Sequence, residues 1–314
     1  MALRYDTISF LSDYGLDDEF VGVVKSVIRS IAPEVTLIDV THQVPAHDVR
    51  SGGLTLARSA QYLCPGVVLA VVDPAVGTDR RAVAVEVGDG MSVLLGPDNG
   101  LLAPAVSMVG GATRAVSLTN TDHHLPAPGP TFAGRDIFAP AAAQLCLGID
   151  LTELGELIDP AGLMPGVLPI SHIDDDGTFN AEVLWVDRYG NAQLNVDPGE
   201  VEAFGDRLRL RVGRESRTAR RADTYREIGT GEVGLVVDSY GLLSIALDQG
   251  SAAVELGLAA GAAVHLEPFG DEQETSVSIG VVSPVELGRR ARPGQAGRPE
   301  VYRPDHTTGD QEMP

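Results

Sequence analysis

The chain has 314 residues, 44% of them apolar, and 23 Lys and Arg against 44 Asp and Glu leave a formal net charge of −21. That length supports one large domain or two ordinary ones around a sizeable core, and the acidic balance argues against nucleic acid and anionic membranes as partners while favouring a cationic ligand. No apolar run approaches the roughly 20 residues that span a bilayer, and no signal-peptide apolar region of adequate length opens the chain, so a cytoplasmic location is the expectation. Cys64 and Cys146 both sit in apolar contexts and read as buried, reduced thiols.

In chain order, TISFLSD reads as a strand ending in a loop. DDEFVGVVKSVIRSIAP has helical spacing of Phe20, Val23, Val24, Val27 and Ile31, with Asp17, Asp18 and Glu19 suited to its first turn. VTLIDVT is a second strand. VRSGGLTLARSAQYL is a helix weakened by paired glycines. GVVLAVVD, RAVAVEVG and MSVLLGPDNG are further strands, and FAPAAAQLCLG a later helix. This alternation predicts an α/β N-terminal domain over 1–165 with a mostly parallel central sheet. The stretches FNAEVLWVDRYGNAQLNV, RLRLRVG, GEVGLVVDSYGLLSIAL and AAVHLEP are short and turn-punctuated, which predicts a smaller antiparallel β domain over 170–268. The Gly-, Pro- and Arg-rich tail over 270–314 is expected to be flexible.

Three polar loops follow predicted strands: SDYGLDD, DPAVGTDRR and GPDNG. Ligands bind beyond the carboxyl ends of strands in an open α/β sheet, so three such loops in one domain point to one crevice. Each alone reads equally as a solvated turn. Asp73 ends an apolar strand, and Arg80 returns after a turn. The two form a charge-assisted pair that serves either as a structural salt bridge or as a holder of a small polar reactant. GPDNG caps the sheet edge or meets a ligand. Asp187, Tyr189 and Asn191 in WVDRYGN lie in a hairpin turn, where Asn could also read an adenine edge and Tyr stack on its face. A metal phosphohydrolase site built on Asp13, Asp17 and Asp18 is a further possibility. GxxxxGK[ST], HExxH and GxSxG are absent from any suitable place.

As a set, FLSDYGLDDEFVG, IDVTHQVPAHDVRSG, VVDPAVGTDRRAVAV, GPDNGLL, TFAGRDIFAPAAA, WVDRYGN and VDSYGLLSIAL resemble the S-adenosyl-L-methionine hydroxide adenosyltransferases, relatives of fluorinase and chlorinase, in family order over residues 7–268. The resemblance implies a barrel-like C-terminal domain and a homotrimer with sites between neighbouring subunits. It implies metal- and cofactor-free hydrolysis of S-adenosylmethionine to adenosine and methionine. It gives Asp73 and Arg80 catalytic roles and assigns ribose to Asp13. The adenine edge falls to Asn191 and the backbone near Gly250, with Tyr189 close by. The methionine ammonium falls to Asp187 and its carboxylate to Ser239. Asp18, Thr131, Phe132 and Gly134 join the binding set. His47 stands where the halogenating relatives have Trp, and Tyr240 where fluorinase has Arg. A carboxylate at position 73 would repel a halide, so Asp73 argues for water over halide as nucleophile.

The family's third catalytic member is the His before the Gly of TFHGRD, and here that position is Ala133. Pro126, Pro128 and Pro130 separate it from His123 and His124, which argues against their replacing it. Three readings stay open: a deliberate replacement, a natural variant with a rearranged water site, or a protein that binds S-adenosylmethionine or adenosine with little turnover. Loss of a positioned acid–base or orienting group costs about 10²–10⁴ in rate, so the expectation is weakened hydrolysis with the ligand site retained. A halide-using adenosyltransferase is a further alternative.

Overall fold

The computed structural model describes residues 3–269; the tail expected over 270–314 lies outside them. Seven strands form the first sheet: β1 (Thr7–Ser12), β2 (Thr36–Thr41), β3 (Val67–Val71), β4 (Ala82–Val87), β5 (Ser92–Pro97), β6 (Ala112–Ser117) and β7 (Glu156–Ile158). Their order is β2-β1-β3-β5-β4-β6-β7. The pairings of β2, β1, β3 and β5 are parallel, whereas β4 is antiparallel to both neighbours and β7 to β6. Five of the seven strands therefore run one way, with β4 and β7 reversed. The reversal at β4 follows from its link to β5, the short turn Gly88–Gly90, which is too short for a parallel crossover.

Helices cover both faces. α1 (Phe20–Ile31) and α4 (Ala139–Cys146) pack on one side, and α2 (Val49–Ala60) and α3 (Ala103–Met108) on the other. In α1 the buried stripe is Val21, Val24 and Ile28, while Phe20 is exposed. The helix starts at Phe20 with Glu19 at its N-cap, so Asp17 and Asp18 precede its first turn rather than occupy it. The Asp48 side chain caps α2 by accepting from the Ser51 amide at 2.9 Å. The paired glycines of α2 have a packing reason: a Cβ at Gly52 would lie 2.8 Å from Leu101 Cδ1. Close approach to the sheet offsets their low helix propensity.

The second sheet closes. It contains β9 (Phe179–Val186), β10 (Ala192–Leu194), β11 (Arg207–Val212), β12 (Glu215–Ala222), β13 (Val233–Val237), β14 (Leu243–Leu247) and β15 (Ala263–Pro268), with the short β8 (His172–Ile173) appended to β9. Pairing of β10 with β9 completes a seven-stranded barrel. Its one parallel pairing is β12 with β13, so the expected antiparallel barrel is mixed at that seam. Inward residues such as Val183, Leu208, Leu235, Ile245 and Leu266 fill the barrel, beneath the short helix α5 (Ala252–Leu256).

Both sheets belong to one compact unit. Arg50 of α2 donates to Glu182 of β9 at 2.5 Å. Arg58, in the last turn of α2, lies 4.4 Å from the Trp185 ring centroid and 5.8 Å from that of Tyr240. Both cysteines are free. Cys146 is buried, which pushes its thiol up to about 12, but Cys64 is exposed. The expectation of two buried thiols is corrected there, because Cys64 lies in the turn that follows α2 rather than in the core. Among the described residues no helix is long and apolar enough to cross a membrane.

Candidate active site

The chain leaves β1 for β2 on one side and returns through α2 to β3 on the other. The order of connection therefore reverses between β1 and β3, which is where open α/β sheets hold ligands. Asp13 follows the last residue of β1, and Asp73 stands two residues beyond β3. The Asp13 amide donates to the Val71 carbonyl at 3.3 Å, which ties the two exits together. Over this edge, His47 takes a left-handed backbone conformation (φ 68°) and its amide donates to Asp13 Oδ2 at 2.9 Å. A positive φ at a non-glycine residue carries strain, and such strain concentrates at functional sites. Asp18 and Thr131 are exposed.

Arg80 meets Asp73 through two parallel contacts. Nε donates to Oδ1 at 2.8 Å, and Nη2 pairs with Oδ2. The side chains are only 11% and 5% exposed, so the pair is shielded from water. The Phe138 ring lies 5.5 Å beneath the guanidinium. A fork-to-fork pair of this kind fixes both groups in orientation as well as charge.

The TFAGRDIF segment wraps this pair. Residues Gly134–Phe138 form a π-helical turn that runs directly into α4, a rare geometry found mostly at functional sites. Ala133 is buried at its start and presents only a methyl group. Phe132 packs edge-on against Tyr14 and Phe20, with centroids 5.8 Å and 5.1 Å away. Gly134 has no room for a side chain, since a Cβ there would lie 2.2 Å from the Tyr14 hydroxyl. Burial, and then the carboxylates of Asp13 and Asp73, push the Tyr14 phenol well above its ordinary value of 10, with Arg80 opposing them.

The barrel contributes a second set. Asp187 Oδ1 accepts from the amides of Tyr189 and Asn191, each at 2.8 Å, and Asn191 Nδ2 donates to Asp187 Oδ2 at 2.8 Å. This turn packs on the loop after β14. A Cβ at Gly190 would collide with Ser251 Oγ, and the Ala253 amide donates to the Gly190 carbonyl at 2.9 Å. Asn191 and the exposed Gly250 are thereby brought together, with Tyr189 projecting at 78% exposure. DSYGL repeats the device: Asp238 Oδ1 accepts from the Tyr240 amide at 2.9 Å and the Leu242 amide at 3.2 Å. Ser239 is exposed at its tip, and Tyr240 lies 6.4 Å from Trp185.

Residues 8–155 match the SAM hydroxide adenosyltransferase N-terminal domain, and residues 181–265 match the C-terminal domain of the same family. The chain belongs to the SAM hydroxide adenosyltransferase family. It is 44% identical to an (R)-S-adenosyl-L-methionine hydrolase of Salinispora tropica over 254 residues, which are 81% of this chain and 95% of that one. It is 39% identical to the hydrolase of the same name from Thermus thermophilus over 268 residues, 82% of this chain and 98% of that one. A fluorinase of Actinopolyspora mzabensis is more distant, at 27% identity over 63% of this chain and 74% of its own. The fold matches a crystal structure of an uncharacterized conserved protein from Thermotoga maritima with a TM-score of 0.76 and 32% identity, covering 82% of this chain and 99% of that one.

Several side chains around this candidate site carry no motif of their own. Ser12 Oγ lies 2.8 Å from His42 Nδ1, His42 Nε2 lies 2.9 Å from Asp39 Oδ1, and Lys25 Nζ donates to Asp39 Oδ2 at 2.6 Å. The row has the composition of a nucleophile triad, but Ser12 is fully buried and no substrate could reach it. Its work is local: Ser12 Oγ accepts from the Tyr14 amide at 3.3 Å, and the His42 carbonyl accepts from Gly15 at 2.7 Å. It clamps the loop that carries Asp13 and Tyr14. Only the position of His42 within IDVTHQVPAHD could have signalled it. GPDNG proves to be a brace. Asp98 takes Arg81 Nε at 2.9 Å and the Met164 amide at 2.8 Å, and Asn99 Nδ2 donates to the Val72 carbonyl at 2.9 Å. Among the described residues, which include Asp13, Asp17 and Asp18, no group of three His, Cys, Asp or Glu side chains is placed to hold a metal ion.

Proposed function

We propose that this protein hydrolyses S-adenosylmethionine to adenosine and L-methionine. The observation that carries the proposal is the shielded Asp73–Arg80 pair at the switch point between β1 and β3. Water is a weak nucleophile, with a pKa of about 15.7, and needs to be held and polarised. Its oxygen attacks the ribose 5′ carbon in line with the sulfonium. The carbon–sulfur bond breaks, its electron pair stays on sulfur, and methionine leaves neutral at that atom. The water gives up one proton, which the Asp73 carboxylate accepts on its way to solvent. Arg80 orients Asp73 and stabilises anionic character on the attacking oxygen.

Asp13 holds the ribose hydroxyls, fixed by the His47 amide. Phe132, Thr131 and Gly134 border the same crevice, and Asp18 stands at its outer rim. The Asp187–Asn191 turn with Gly250 reads adenine beside Tyr189, and Asp187 and Ser239 hold the amino-acid end. The hydrogen bonds of the Asp73 and Asp187 sets are internal to each, and we read the complete site as formed between the α/β domain (1–165) of one subunit and the barrel domain (170–268) of a neighbour in a homotrimer. Sedimentation at micromolar concentration should give three times the chain mass. The acidic crevice suits the sulfonium cation, and the reaction calls for no cofactor. The test is a chromatographic assay of the purified protein with S-adenosylmethionine. Adenosine and methionine released in equal amounts support the proposal, and bound substrate without product contradicts it.

A further inference from the structure

The chain carries 23 Lys and Arg, and seven of them, all Arg, fall between Arg207 and Arg221 in the β11–β12 hairpin, beside a single acid, Glu215. The rest of the chain has 16 Lys and Arg against 43 Asp and Glu. Strand alternation sorts this charge onto one surface. Leu208, Leu210 and Ala219 are buried inside the barrel, so Arg207, Arg209, Arg211 and Arg220 point outward. Arg207 stands directly opposite Arg220, a cross-strand pairing of like charges that costs stability. Arg209 and Arg211 face Thr218 and Ser216 across the hairpin, and on the other side they share one carboxylate, Glu267, at 3.6 and 3.3 Å. Arg207 stacks on Phe269, 4.7 Å from its ring centroid. Among the described residues neither Arg207 nor Arg220 makes an ion pair. Two ordinary reasons for surface arginine fail here. Both strands have a neighbour on each side, so no open sheet edge needs charge to protect it. An acidic protein gains no solubility from a basic patch.

We propose that this arginine face is the basic half of a head-to-tail contact between copies of this chain, docking on the acidic surface of a neighbouring subunit. Charge complementarity selects a second copy as the partner, since outside the hairpin each copy is strongly acidic. Symmetry sets the kind of contact. A two-fold axis through the face would lay arginine against arginine, whereas a heterologous contact joins two different surfaces and closes as a ring. The neighbour's carboxylates then supply the partners that Arg207 and Arg220 lack within the chain. The inference rests on the homotrimer reading above and names a surface that holds the ring together.

Sedimentation of the full chain tests it. Arg207→Gln, Arg209→Gln and Arg220→Gln together remove the outward charge and relieve the repulsion between Arg207 and Arg220, so the fold should be retained, as circular dichroism can check. The concentration at which half the trimer dissociates should rise at least about tenfold in this variant. Glu at the same three positions should give monomers at micromolar concentration. Association of the parent should weaken as salt rises from about 0.05 to about 0.5 M, and the Gln variant should lose most of that dependence. Met91→Glu with Met108→Glu adds comparable negative charge at two exposed sites elsewhere and should leave association within about threefold. An unaltered trimer in the Gln variant overturns the inference alone. An equal loss in the Met91 and Met108 control also overturns it, by making the effect one of overall charge. Binding of heparin or phosphatidylserine vesicles that is lost in a Gln variant still trimeric like the parent assigns the face to a polyanion and overturns it as well. A parent that is monomeric at every salt concentration overturns the trimer reading together with this inference.

Discussion

Arg80 and Arg81 are neighbours in sequence, yet each pairs with a different aspartate, and the two pairs do different work. Arg80 meets Asp73 at the mouth of the switch-point crevice, beside Asp13, Tyr14 and the π-turn. Arg81 meets Asp98 one strand further along, where Nη2 also donates to the Gly162 carbonyl at 2.7 Å and Asp98 accepts from Met164. The second pair has every partner it needs within the protein backbone. The first lies against the π-turn, with the Phe138 ring 5.5 Å from its guanidinium. The same pairing is thus a brace where the surroundings satisfy it, and in the proposed function it is the reactive centre where it stands at the switch point.

Four substitutions break or sharpen that contrast. Asp73→Asn removes the proton acceptor and should lower kcat by about 10²–10⁴, with affinity for adenosine largely retained in calorimetry. Unchanged turnover would make the pair a second brace. Asp98→Ala should act oppositely. It leaves Arg81 without its carboxylate and the Met164 amide unpaired, and should cost about 2–3 kcal/mol in denaturant unfolding, discounted because Arg81 is partly exposed, while kcat of the folded protein stays within about threefold. Ala133→His should raise kcat about tenfold or more by restoring a polar group at the water position; equal rates would show that nothing was missing there.

The smallest effect concerns a third pair, far from the crevice. The Arg114 guanidinium, which contacts Glu86 at 2.6 Å, holds that buried carboxyl below its ordinary value of 4.5. A lowered folded pKa contributes stability that is present above 4.5 and lost as pH falls through the folded value. Glu86→Gln should therefore cost about 1–2 kcal/mol at neutral pH, and the difference from the parent should shrink on acidification below 4.5. A constant difference across that range would assign the effect to packing.

The alternation of apolar strands and amphipathic helices made the α/β half legible, and loops rich in Asp and Gly after β1, β3 and β5 pointed to its functional edge. The strands that escaped notice lack an apolar signature. Ala219 is the one fully buried residue of β12, whose other positions are largely polar and exposed, so pairing with β11 and β13 defines it rather than its own pattern. The closure of the barrel depends on β10, three residues long, and no local period reports a pairing between distant strands. At the site, Asp73 and Arg80 were legible because a turn returns one towards the other seven residues on. The packing of Tyr14 on the π-turn and the clamp through His42 were not, because both arise only where β1, β2 and the π-turn converge in space.

Hydrolysis in water enriched in oxygen-18 tests the central claim most directly. The account predicts one labelled oxygen in the 5′ hydroxyl of adenosine and none in methionine, with product formation lost in Asp73→Asn. Unlabelled adenosine, or tightly bound S-adenosylmethionine that never yields product, would contradict it.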